Sequence, residues 1–247
     1  MSLAMSMSPE SVLQALQAQR GDKRLSLSLG RQARHDDASD DALADHWLVP
    51  GGVVELSALP GAGAWTVAFI LAAAARRRAI ATNGPRWLGA LDPWSTLSAV
   101  ALAHVLRDDD ALAETLVVRP TNDDSLLRTA TRMARSKACA AIVVDAAGFD
   151  DVSGLVLGMR RLTLAAEDSG SAVLLVTSAR AHRRQPLPVA ARALIDAAPD
   201  GTVLRPIRHR HGMPPRLLVP SARLQRSVID DLLAPRSTVG HVVQVAG

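Results

Sequence analysis

Residues 58–66, ALPGAGAWT, set a glycine-rich turn between an apolar run at 53–57 and a second apolar run at 67–75. Strand, tight turn and helix in that order let backbone N–H groups at a helix start cradle phosphates. A working loop also needs a lysine directly after its last glycine and then a Ser or Thr hydroxyl to hold the metal. With Gly63 as the last glycine, the lysine place holds Ala64, the hydroxyl place Trp65 and the first-glycine place Ala58. Pro60, Gly61 and Gly63 keep the turn, and Thr66 follows it. No shift of register supplies the cation, because Lys23 and Lys137 are the only lysines. Arg76 to Arg78 begin about 18 Å along the following helix at ~1.5 Å per residue, out of reach. Each lost charge-assisted contact is worth about 1.5–3 kcal/mol. Losing two weakens triphosphate binding by roughly three orders of magnitude. The expectation is a tight turn emptied of nucleotide chemistry, with Trp65 plugging the space and no cofactor; a weak anion affinity at the helix start stays open.

The remaining chemistry-bearing residues are few. Asp145 ends the apolar run AAIVVD, where a carboxylate can hold a metal-bound water. Without a lysine and a metal hydroxyl it is expected to cap the following turn instead. Asp92 precedes Pro93, a pairing expected of an N-cap and first helical residue. His209 and His211 share a strand face, but no Cys or third ligand completes a zinc set, so no metal is expected. No G-x-S-x-G or Cys/His pair suggests covalent catalysis, and without the phosphate-loop lysine and a catalytic glutamate the chain is expected not to be an enzyme. Residues 180–216 hold eight arginines against Asp196 and Asp200. Arg180, Arg183 and Arg184 follow a strand end; Arg205, Arg208 and Arg210 lie on a late hairpin. Planar guanidinium forks suit phosphate and give salt-sensitive, sequence-independent affinity. The same cluster suits an acidic protein surface, and the aromatics that stack single strands are absent from it. Both readings stand.

The elements that must carry these residues follow from the pattern. At 247 residues, 48% hydrophobic with no tyrosine, the chain fits one aliphatic-cored domain with appendages. Strands are predicted at 52–57, 86–91, 115–119, 140–145, 171–177, 202–209 and 215–219. Helices are predicted at 64–78, 93–107, 123–137, 152–169 and 188–197. This alternation, with the continuous apolar runs IVVD and AVLLVT, predicts an α/β fold with a mostly parallel central sheet flanked by helices and closed by a short C-terminal hairpin. Ligands of such sheets sit beyond the carboxyl ends of the strands, here the turns at 59–63, Asp92, Asp145 and Ser178. The core is placed at 47–219. Residues 1–46 are read as a helix (8–19) and a polar linker, and 220–247 as a short amphipathic helix (221–233) and a flexible tail. No apolar run reaches the ~18–20 residues that cross a bilayer, so no membrane is expected. The opening MSLAMSMSPES lacks the features of a secretory signal, and the single Cys139 suits a reducing cytoplasm.

Taken in order, the motifs resemble the RecA fold. VVEL at 53–56 with its Pro/Gly turn is similar to the recombinase strand before the phosphate loop, and IVVD at 142–145 to its Walker B strand. ALDP at 90–93 resembles a stretch after the second core strand. LLVTSAR at 174–180 stands where the sensor strand would be, and VLRPIRHRHGMPPR at 203–216 resembles the late basic hairpin. Asp92 is the only carboxylate where the catalytic glutamate belongs, Ser178 replaces the sensor glutamine, and no separate C-terminal domain is expected. This pattern is more similar to the ImuA proteins of the SulA/ImuA group, a likeness that GPRWLGALDP and RMARSKACAAIVVD extend. The resemblance implies an accessory role in damage-induced translesion synthesis. The implied partner is a translesion polymerase-like protein or RecA, with single-stranded DNA as a further candidate. It also implies a cytoplasmic, nucleoid-associated location on damage and self-association through the N-terminal helix. The alternatives it leaves are a weak DNA-dependent ATPase or single-strand binder and a SulA-like cell-division inhibitor.

Overall fold

The structure is a computed structural model that describes residues 40–149, 151–182 and 185–220. The predicted helix at 8–19 and the tail at 221–247, with Arg183 and Arg184, lie outside the described residues. The described chain opens with helix α1 (40–47), where the sequence pattern gave a linker. The acidic side chains of this stretch hid an apolar stripe, Leu43, Ala44 and Trp47, which is buried. Asp41 and Asp45 face outward to Arg77 and Arg78 of the next helix.

Strand β1 (Val53–Ala58) and helix α2 (Ala64–Ala81) flank the glycine turn. Strand β2 (Trp87–Leu91) follows, then α3 (Ala99–Leu106) and α4 (Asp109–Ala113), two short helices in place of one at 93–107. The first begins later than expected because Ser98, accepting from the Ala101 amide, is the N-cap; Asp92 closes the turn before it. Next come β3 (Thr115–Val118), α5 (Asp123–Arg135) with an Asn122–Ser125 capping box, and β4 (Cys139–Ala146). Helix α6 (Val156–Ser169) and β5 (Ala172–Ser178) complete the parallel part. The segment expected as a helix at 188–197 is instead β6 (Ala191–Ala198). Its alanines favour a helix, yet burial alternates along Ala191 to Asp196 with period two, and packing beside β1 overrides the propensity. Strands β7 (Gly201–His209) and β8 (Leu217–Pro220) form the expected antiparallel hairpin, and β6–β7 forms another.

The eight strands make one sheet in the order β3-β2-β4-β5-β1-β6-β7-β8, parallel from β3 to β6 and antiparallel beyond. Helices cover both faces, so the central strands β1, β4 and β5 are buried almost throughout. One core lies under α1 to α4 around Trp47, Phe69, Leu71 and Leu174; the other lies under α5 and α6 around Leu126, Ile142, Met159 and Leu162. No described helix is long and apolar enough to cross a membrane.

Candidate functional site at the carboxyl edge of the sheet

The turn between β1 and α2 has the backbone of a phosphate cradle. Gly61 and Gly63 take left-handed backbone angles, φ 80° and 83°, which side-chain-bearing residues rarely adopt. Gly63 is also the N-cap of α2, and a Cβ there would stand 2.8 Å from Thr202 Oγ1. Thr202 reaches across from β7 to donate to the Ala62 carbonyl at 3.2 Å, tying the turn to the antiparallel strands. No side chain caps α2 and its first turn has no acidic residue, so the positive helix end faces the loop.

Trp65 stands at the metal-hydroxyl place of the loop. Its ring stacks on Phe69 one turn further on, with centroids 5.4 Å apart and planes 15° from parallel. Its side chain lies near enough to the Asp145 carboxylate at the end of β4 to favour that group's charged form. Asp145 Oδ1 accepts from the Ala147 amide at 2.9 Å, the turn-capping contact expected of it. Burial pushes the Asp145 pKa up, and the neighbouring Asp92 charge adds to the rise; the Ala147 and Trp65 donors oppose it.

Asp92 and Asp145 are neighbours because Leu91 and Val144 pair in register on β2 and β4. Asp92 is fully buried and accepts from the Thr96 amide (2.9 Å), the Thr96 hydroxyl (3.1 Å) and the Leu97 amide (3.0 Å). Arg119, at the end of β3, brings its Nε to 3.8 Å. Three donors of the following turn are thus held by this one carboxylate. Trp94 packs its ring over Gly148 and edge-on to Phe149, 5.7 Å between centroids, and remains 47% exposed. Sequence reasoning placed Asp92 and Asp145 but missed their contact and the part of Arg119, since neither follows from local spacing.

The basic residues differ in how their charge is met. Arg205 pairs with Asp196 across β6 and β7. Arg210 lies 3.4 Å from Glu167 of α6. Arg180, whose amide donates to Ser178 Oγ, and Arg208 are exposed with no ion pair among the described residues. Opposite Arg208 in register stands Arg192, drawn to the buried Glu55 at 3.5 Å, and Glu55 also accepts from Thr177 at 2.7 Å. His211 lies beyond the end of β7, though its ring remains 5.9 Å from that of His209. His209 packs on Trp47 and accepts from the His211 amide at 3.2 Å. Among the described residues no three His, Cys, Asp or Glu side chains gather as a metal set.

No protein-family model matches the chain, and no curated protein matches its sequence. Among solved structures it is similar to the crystal structure of the RadB recombinase, with a TM-score of 0.57 and 15% identity, over 75% of this chain and 94% of that one. A likeness at that identity speaks for the fold alone. With the sheet order and the β1–turn–α2 unit described above, it establishes a RecA-like α/β core.

Proposed function

We propose that this chain is a non-catalytic RecA-like scaffold that works by contact in DNA damage tolerance. The more specific reading is an accessory protein of translesion synthesis of the ImuA type. Its partner would be a translesion polymerase-like protein or RecA. The observation that supports the non-catalytic part is a turn that keeps its left-handed glycines while Ala64 and Trp65 hold the lysine and metal-hydroxyl places. Trp65, stacked on Phe69 and near the Asp145 carboxylate, offers no hydroxyl to a metal ion. Ala64, buried in the core beside it, brings no cation. The RecA-like fold supports a role near DNA by analogy, and the ImuA-like motifs support the accessory role.

Calorimetric titration of the full chain with ATP and magnesium, with and without single-stranded DNA, tests the loop. Heat no larger than that of dilution is expected. Stoichiometric binding in the micromolar range would reject the plug and favour the weak ATPase. Pull-down of a polymerase-like partner and of RecA with the full chain tests the contact role, and capture of neither would count against it.

A further inference from the structure

The outer surface of α6 carries an apolar stripe that the fold does not use. Leu157 and Leu164 are 62% and 66% exposed. They stand seven residues apart, two turns or about 10 Å along one line of the helix. Arg160 and Arg161 flank that line on either side, exposed, and no ion pair engages them among the described residues. The carboxylates nearby on the same helix are already taken: Asp168 by Lys137 at 3.4 Å and Glu167 by Arg210 at 3.4 Å.

Beside it lies α5, packed so closely that a Cβ on Gly158 would fall 2.5 Å from Leu127 Cδ1. Its exposed side presents Arg128, Arg132 and Arg135, again one stripe of a helix. Among the described residues only Arg128 of these has an ion pair, with Asp124 at 3.8 Å. Scattered exposed leucines are ordinary on a protein surface. Two on a helix midline, edged by unneutralised arginines on two adjoining helices, are a patterned surface.

We infer that the α5–α6 face is a docking surface for an acidic amphipathic helix of a protein partner. Leucines of that helix would cover Leu157 and Leu164, and its flanking carboxylates would meet Arg160 and Arg161. The leucines select protein over nucleic acid, because a phosphate backbone neutralises arginines but buries no leucine. The inference deepens the contact reading above and rests on it only in that the chain works by docking. Nucleotide titration reports on the loop and helix titration on this face, so each can fail alone.

The probe is a labelled synthetic helix of three heptads with leucine on one stripe and glutamate on both flanks. Its charge-reversed twin carries lysine, and a single-stranded oligonucleotide serves as the third ligand. Fluorescence anisotropy with the full chain should show the acidic helix binding at least about tenfold tighter than the basic one. R160E/R161E and, separately, L157A/L164A should each weaken it by roughly tenfold or more. All four positions are exposed, so the variants should keep the wild-type circular dichroism. Equal binding of the two helices, no binding of either, or indifference to both variants overturns the proposal. So does an oligonucleotide that binds, is lost in R160E/R161E, and survives in L157A/L164A, since that makes the face a phosphate surface.

Discussion

Replacing a lysine and a hydroxyl by Ala64 and Trp65 changes what Asp145 has to do. In this site the carboxylate is buried beside Asp92, and its pKa lies above the usual 3.8 because burial and that neighbour disfavour its charge. A raised pKa means the folded state holds the proton more tightly than the unfolded chain. The stability this group contributes is therefore full below about 3.8 and is lost as pH rises through the folded value. The Trp65 N–H limits that loss. Trp65→Phe keeps the stack on Phe69 and removes the donor, so the Asp145 pKa should rise further and the loss should extend to higher pH. Urea unfolding across a pH series should show W65F less stable than wild type by about 1–3 kcal/mol at neutral pH, with the gap closing in acid. A gap that does not vary with pH would mean the indole does not serve an ionised Asp145. The missing lysine was plain in the sequence, whereas the closeness of Trp65 to Asp145 was not, because only the sheet brings those two residues together.

Helix α2 must hold its start against the sheet for the turn to keep its shape, and Arg76 anchors the other end. Its guanidinium is buried, donates to the Arg86 carbonyl and to Asp108 at 3.0 Å each, and pairs with Glu114. Three elements thus converge on one cation. Removing one partner of a buried ion pair costs about 3–5 kcal/mol, and the partial exposure of Asp108 lowers that here. Arg76→Ala should cost about 2–3 kcal/mol in chemical denaturation. Arg76→Lys should recover only part, since an ammonium cannot reproduce a planar fork. Equal stability of R76K and wild type would show that charge alone matters. Elements with a strong period were legible: β1, α2, β4, α6 and β5 lie close to their expected places. Two misreadings share a cause. Alanines made β6 look helical and aspartates made α1 look like a linker, because composition outweighed the alternation in one and the Leu43–Ala44–Trp47 stripe in the other.

At the scale of the whole molecule, the alternation of strands and helices announced a parallel sheet, and its motifs in order pointed to a RecA-like core. Sequence spacing could not say where charge would be neutralised across strands, and that decides what the basic segment can do. Eight arginines at 180–216 look like one patch in sequence. Folded, Arg205 is matched by Asp196, Arg210 by Glu167 and Arg192 by Glu55, while Arg180 and Arg208 have no ion pair among the described residues. An arginine already paired within the protein must give up that pair to bind a phosphate, so it releases fewer counterions in net. If the hairpin meets single-stranded DNA, R180A/R208A should flatten the salt dependence by about 1.4 in log–log slope, at ~0.7 per phosphate contact. R205A/R210A should change the slope by much less, although it removes the same formal charge. Anisotropy of a labelled oligonucleotide over a salt series separates the two pairs of variants. Equal flattening would show that net charge, rather than its pairing across β6, β7 and α6, governs the contact.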